Sequence, residues 1–189
     1  MIKVLLIDEL SFTDDMLLKI IEGVQSQSEI QSASHAQNQK QATNKLCSNA
    51  NGCLEEIILM GVELSSKTVD FLTSEVFMKQ KRLNQLVLSN LGRQMVNQEH
   101  YERLFEALAS DPRRGYTELK RLKFTRMNIH EPGLFRHLKS LIVNNLEEID
   151  LSWTSFKYAF LTDLGKAFVD SRCLKSINLS YLNLQDMTN

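Results

Sequence analysis

Apolar residues recur along the chain in one short pattern. Leu54 to Leu64 read LEEIILMGVEL, with apolar residues at the first, fourth, sixth, ninth and eleventh positions. The same template, L-x-x-L-x-L-x-x-φ-x-φ with φ apolar, begins at residues 2, 54, 83, 119, 146 and 174. The last five starts lie 29, 36, 27 and 28 residues apart. A single match would mean little, but five at a near-constant period predict a repeat architecture.

Each template is followed by residues that suit a helix. Apolar residues at the i, i+3, i+4, i+7 spacing form a single stripe on a helix, and they occur here as Leu17, Ile20, Ile21 and Val24; Tyr101, Leu104, Phe105 and Leu108; Phe135, Leu138 and Ile142; and Leu161, Leu164 and Phe168. The second helix is less regular, and its predicted buried face is Val69, Leu72 and Val76. Each unit is therefore predicted to be a short strand, a turn and a helix.

Such units cannot bury their apolar faces alone and must stack on one another. The template resembles that of leucine-rich repeat proteins, specifically the ribonuclease-inhibitor-like class with repeats of about 28 residues, and the resemblance covers residues 2–24 and 53–189. It implies an α/β solenoid, a horseshoe with parallel strands on its concave face and helices on its convex face. We expect six parallel strands in sequence order, starting near the six template starts.

The domain organisation follows from the same resemblance. We expect a single leucine-rich-repeat domain over residues 1–189. Because neither end shows the polar cap that terminal repeats carry, this domain could be a piece of a longer solenoid. Residues 25–52 are rich in Gln, Asn, Ser and Ala and hold almost no large apolar residue. They predict a polar insertion without contact to the core, because they offer too little surface to bury.

The chain departs from the family at the ninth template position. The family usually places Asn or Cys there, and that side chain hydrogen-bonds the backbone of the turn. The occupants here are Leu10, Val62, Leu91, Met127, Thr154 and Leu182. Only Thr154 can make such a hydrogen bond, so we expect irregular turns.

Charge and cysteine content narrow the function classes. The formal net charge is −1, which argues against a general attraction to nucleic acid or to an acidic membrane. No apolar run reaches the roughly 20 residues of a membrane span. The three cysteines, Cys47, Cys53 and Cys173, suit neither a disulfide framework nor a zinc site. We therefore expect a cytoplasmic protein with free thiols in a reducing compartment.

Catalytic signals are weak. The four histidines show no metal-binding spacing with a carboxylate, and we interpret them as surface residues. The sequence contains no G-x-S-x-G motif, no H-E-x-x-H motif and no phosphate-cradling glycine loop. We expect neither enzymatic activity nor a cofactor.

The candidate site lies on the predicted concave face, because side chains alternate along a strand. Arg121 and Lys123 point outward from the fourth strand and Arg126 follows it, while Glu148 and Asp150 occupy the neighbouring strand. At a strand spacing of about 4.8 Å these charges can pair with each other. They can equally form a charged recognition site for a protein partner.

Two aromatic residues complete the candidate site. Trp153 and Tyr181 occupy equivalent positions in adjacent templates. Exposed aromatics on a concave face are frequent interface anchors, although these two could instead pack on each other or under a loop.

These observations predict a protein–protein interaction scaffold, since solenoids offer extended concave surfaces. One alternative is a GTPase-activating protein, which would present an Arg at a loop tip. Arg93 is the candidate, because the other templates place an apolar residue at its position. Another alternative is the substrate-recognition part of a ubiquitin ligase.

Overall fold

The computed structural model describes residues 3–8, 15–24, 26, 54–62, 64–80, 82–90, 98–109 and 119–185. Several sequence predictions fall outside these ranges. They concern all of the polar insertion except Ser26, the ninth-position residues Leu10 and Leu91, and Arg93. The GTPase-activating alternative, which depends on Arg93, therefore stays a prediction.

Nine short strands occur in the described part of the chain. They are β1 (Val4–Asp8), β2 (Glu56–Met60), β3 (Gln85–Ser89), β4 (Arg121–Thr125), β5 (Asn128–Ile129), β6 (Glu148–Asp150), β7 (Ser155–Lys157), β8 (Ser176–Asn178) and β9 (Asn183–Gln185). Six of them form one parallel sheet in the order β1-β2-β3-β4-β6-β8, as predicted. The other three form a second parallel sheet in the order β5-β7-β9, which the template did not predict.

Helices separate the strands of the main sheet. They are α1 (15–24), α2 (66–79), α3 (Gln98–Ala109), α4 (Pro132–Asn144) and α5 (Leu161–Asp170), the last preceded by a 3-10 turn at Tyr158–Phe160. Within α2, a π-helical segment at Leu72–Val76 interrupts the α-helical hydrogen bonding, which fits its irregular sequence pattern. Among the described residues, no helix has the length and apolar character needed to cross a membrane.

The strands align equal template positions. The fourth position forms one row across the main sheet, in which neighbouring strands pair at Leu5, Ile57, Leu86, Leu122, Ile149 and Ile177. The first five of these side chains are buried, and Ile177 on the outermost strand is partly exposed. This alignment arises because every unit presents its apolar side chains at the same two strand positions, and a shift by one residue would turn them to solvent.

The core lies between this buried row and the helices. Most of the predicted helix stripes are buried, including Val69, Leu72 and Val76 of α2. The prediction for α5 was wrong at Leu161, which is exposed, whereas Ala167 is fully buried. In the middle of the core the ring of Phe124 packs edge-on against Phe105, with ring centroids 4.9 Å apart.

The turns after the strands share one backbone conformation. At the eighth template position, Gly61, Asn90, Arg126, Trp153 and Tyr181 all have φ between 51° and 65°. The backbone N–H groups of the first four donate to carbonyls of the next strand segment at 2.9–3.2 Å. The expectation of irregular turns was therefore wrong at this position, because backbone hydrogen bonds close the turns without an Asn or Cys side chain.

Thr154 uses its side chain for a hydrogen bond, but to the neighbouring strand β4 and not to its own turn. Its Oγ1 donates to the carbonyl oxygen of Phe124 at 2.9 Å, in a buried setting. The apolar ninth-position residues Val62 and Met127 are buried instead. They add to the core at this position.

Candidate functional site

One face of the main sheet points away from the core. We call it the open face, and it consists of the side chains at the third, fifth and seventh template positions. Along its middle row, neighbouring strands bring together Leu6, Ile58, Val87, Lys123, Asp150 and Asn178 in register. A groove of about 600 Å³ runs over this face from β1 to β6.

The basic residues of the site do not pair with the acidic residues beside them. The register places Arg121 beside Glu148 and Lys123 beside Asp150. Within the described ranges, however, no ion pair of 4.0 Å or less joins either pair. Mutual pairing was therefore the wrong interpretation, and both basic side chains remain exposed.

Local hydrogen bonds explain this arrangement. Arg121 donates from Nη2 to Oδ1 of Asn84 at 2.8 Å, on the side away from Glu148. The carboxylate of Asp150 accepts from the backbone N–H of Ser152 at 2.9 Å and so helps to form the turn. Asn178 repeats this contact with Ser180 at 3.0 Å.

The two aromatic residues lie against each other. The rings of Trp153 and Tyr181 stack with their centroids 4.1 Å apart and their planes 18° from parallel. They are nevertheless 55% and 69% exposed. Packing of the two rings on each other is therefore confirmed, and the rings still present aromatic surface to solvent. Their role as interface anchors stays a prediction.

Positive φ is unfavourable for these side chains. Glycine tolerates it and Asn is enriched there, but a bulky residue with φ near 60° is a strained outlier, and strain of this type clusters at functional sites. Arg126, Trp153 and Tyr181 all have this conformation. The repeat template did not predict this conformation, although Gly61 and Asn90, two residue types that favour positive φ, occupy the same template position.

The open face also has an apolar half, whose residues were not among the predicted site residues. Leu6 is exposed, Ile58 and Met60 are half-buried, and Val87, which is buried, lies between Ile58 and Lys123. We call these four residues the apolar patch. It lies in the same groove as the basic side chains Lys123 and Arg126.

A row of charges follows the edge of the sheet where the strands begin. The second template position holds Lys3, Glu55, Asn84, Lys120, Glu147 and Lys175. Lys3 pairs with Glu55 at 2.9 Å, and Glu147 pairs with both Lys120 at 3.2 Å and Lys175 at 2.6 Å. Solvent-exposed pairs such as these contribute little stability. This row was not predicted from the sequence. A comparison of the second position across all six templates would have shown the alternating charges.

The ion pairs of Glu147 lead to a prediction about its pKa. Hydrogen bonds from Lys175 and then Lys120 hold the pKa of Glu147 below its usual value. The stabilisation is therefore present above the unfolded-state pKa and is lost as the pH falls through the folded-state pKa. In an NMR titration we expect Lys175→Met to raise the pKa of Glu147, whereas Lys166→Met, which removes a partner of Asp163, leaves it unchanged. Equal values in wild type and Lys175→Met would contradict the assignment.

In the described part of the chain, no cluster of three or more His, Cys, Asp or Glu could hold a metal ion. Nε2 of His130 and Oγ of Ser155 are buried without a hydrogen-bond partner, but Ser155 is in register with Asn128 and not with His130. Burial, and then the charge of Lys157, lowers the pKa of His130. Cys173 is an exposed free thiol.

Comparison with known proteins adds no family to this description. No protein-family model matches the chain, and no curated protein matches it in sequence.

Proposed function

We propose that this chain is a protein-interaction scaffold of the leucine-rich-repeat type, with no catalysis of its own. It would be a cytoplasmic single-domain solenoid whose open face is the concave face of the horseshoe. Support comes from the repeated template and from the parallel strands in sequence order. The observation that carries the proposal is the exposed Trp153–Tyr181 stack beside Arg126.

Backbone energetics support a role for these side chains. A residue held at positive φ costs on the order of 1–3 kcal/mol, and glycine, as at Gly61, would avoid most of that cost. The chain instead has Arg126, Trp153 and Tyr181 at this position. The mutual stacking of the rings offsets part of the cost. Because the rings stay exposed, we infer that contact with a partner is what the side chains provide.

The composition of the surface suits a protein partner. Trp, Tyr and Arg are the residue types that most often dominate binding energy at protein interfaces. Here they lie at one end of the open face, next to the exposed cations Arg121 and Lys123. The apolar patch occupies the other end. A partner lying across the strands would contact apolar, basic and aromatic surface in turn.

The proposal predicts which substitutions weaken binding. Trp153→Ala is expected to weaken partner binding by about 1–3 kcal/mol, a typical loss at an interface anchor, while thermal melting changes little because the ring is half-exposed. Tyr181→Ala should act in the same direction. The partner is first identified as a protein captured by the wild-type chain, and its affinity for the wild type and for each variant is then measured by calorimetry. Tyr158→Ala is the matched control, since Tyr158 is an equally exposed aromatic residue outside the open face.

Salt dependence tests the basic part of the site. Arg121→Glu should weaken binding more at low salt than at high salt, because exposed charges are screened beyond about 10 Å at 0.1 M. If Trp153→Ala, Tyr181→Ala and Arg121→Glu all bind like the wild type, the open face is not the binding site. If Trp153→Ala lowers the melting temperature and leaves affinity unchanged, the stack has a structural role only.

A further inference from the structure

One row of side chains on the open face changes from apolar to basic along its length. At the fifth template position, Leu6, Ile58 and Val87 are followed in register by Lys123. Arg126, which comes directly after β4, lines the same groove. Within the ranges that the structure describes, neither of these two cations makes an ion pair or a side-chain hydrogen bond. The groove therefore has an apolar side and a basic side.

The carboxylates of the groove do not neutralise these cations. Glu56 accepts a hydrogen bond from the side chain of Gln85, and Asp150 accepts one from the backbone N–H of Ser152. Asp8 lies on β1, three strand spacings or about 14 Å from the strand that carries the cations. That distance exceeds the screening length of about 10 Å at 0.1 M salt. An anionic group of a partner would therefore meet two positive charges that have no ion-pair partner among the described residues.

Polar side chains lie on both sides of the row. On β3, Gln85 at the third template position and Ser89 at the seventh flank Val87, and both line the groove. On β4, Thr125 is in register with Ser89 and its Oγ1 donates to Oγ of Ser89 at 2.8 Å. Amide and hydroxyl groups can both donate and accept hydrogen bonds. They are therefore suited to the exposed backbone of an extended segment that lies across the strands, whose N–H and C=O groups need partners.

We propose that the groove binds an extended acidic segment of the partner, with two apolar side chains at alternate positions and an acidic side chain two residues further along. Leu6 and Lys123 lie three strand spacings apart, about 14 Å. An extended chain advances roughly 3.3 Å per residue and turns every second side chain to the same face. Its two apolar residues would then contact the apolar patch while the acidic residue lies beside Lys123 and Arg126. This proposal rests on the proposed function, because it names the chemistry of the partner of the same face.

Selection from a phage-displayed library of random short peptides tests the class of partner. We expect the peptides retained by the wild-type chain to share two apolar residues at alternate positions and an acidic residue two positions from one of them. The most enriched peptide, carrying a fluorescent label, is then titrated with the chain and followed by fluorescence anisotropy. Lys123→Glu should weaken its binding roughly tenfold or more, because like charges opposed across an interface repel.

A charge exchange makes the test independent of any one variant. The same peptide with lysine in place of its acidic residue should bind the wild-type chain poorly and bind Lys123→Glu better than the wild type. Leu6→Thr should weaken the original peptide roughly threefold or more, because an apolar contact of the peptide is lost. Leu6 is mostly exposed, so its replacement should not disturb the fold. Circular dichroism monitors folding of each variant.

The matched control is Lys67→Glu. Lys67 is an exposed lysine on α2, outside the groove, and the same change of charge there should leave peptide binding unaltered. Retained peptides without acidic residues, or no retained peptides at all, would overturn the proposal. So would binding that Lys67→Glu weakens as much as Lys123→Glu.

Failure of this proposal can be distinguished from failure of the proposed function. If Trp153→Ala weakens binding of the captured partner but Lys123→Glu weakens neither the partner nor the peptide, the open face is the binding site and only the acidic segment is wrong. If neither substitution changes the affinity of the partner or of the peptide, both proposals fail.

Discussion

Replacing Phe124 by alanine is expected to lower the free energy of unfolding by about 3–5 kcal/mol, the usual range for a fully buried phenylalanine. Phe124 is fully buried on β4 and packs against both Phe105 and Tyr101 of α3. Its removal would leave a cavity between the sheet and the helix that close-packed neighbours fill only in part. Chemical denaturation monitored by circular dichroism measures the change.

The matched control for this experiment is Tyr158→Ala. It removes an aromatic ring of similar size that is mostly exposed, so it should change stability by no more than about 0.5 kcal/mol. The denaturant dependence should stay the same in all three proteins if unfolding is two-state. A loss below about 1 kcal/mol for Phe124→Ala would mean that β4 and α3 do not pack as described.

Replacing Gln80 by alanine is expected to cost about 2–4 kcal/mol of stability, from an unsatisfied buried N–H and from lost packing. Gln80 is almost completely buried where α2 ends. Its side-chain Oε1 accepts a hydrogen bond from the backbone N–H of Leu54 at 3.0 Å. Its carbonyl oxygen accepts from the N–H of Leu83, also at 3.0 Å. One residue thus connects the end of a helix to the residues that precede two strands.

Gln80→Met separates the two contributions. Methionine has a similar length and flexibility but no strong acceptor, so it keeps most of the packing and loses the hydrogen bond to Leu54. We expect about 1–3 kcal/mol of the loss to remain in this variant. If Gln80→Met is as stable as the wild type in the same denaturation experiment, the buried hydrogen bond contributes nothing measurable.

The order and register of the main sheet could be predicted from the sequence. Both follow from where apolar residues recur, since each strand must turn the same two positions towards one shared core. The exposure of Arg121 and Lys123 also follows from the sequence, because successive side chains along a strand point to opposite faces of the sheet. The register also predicted correctly that these residues lie beside Glu148 and Asp150.

Adjacency in register did not predict which polar groups would bind one another. Arg121 has possible hydrogen-bond acceptors on both sides, and its guanidinium donates to Asn84. The carboxylate of Asp150 closes its own turn through Ser152. Such choices depend on side-chain rotamers and local geometry, which a strand pattern does not encode.

The sequence by itself determined the strands of the main sheet, the helices between them, their order and most of the faces they turn to the core, because these depend on short-range periodicity. Only the tertiary structure decided the left-handed turn at Trp153, because the backbone N–H of Trp153 donates to the carbonyl oxygen of Ser180 in the next unit. It likewise decided the ring stack and the exposure of Ile177, since both depend on what lies beside a residue in the next unit. Contacts between units are long-range in sequence, and no pattern within one unit specifies them.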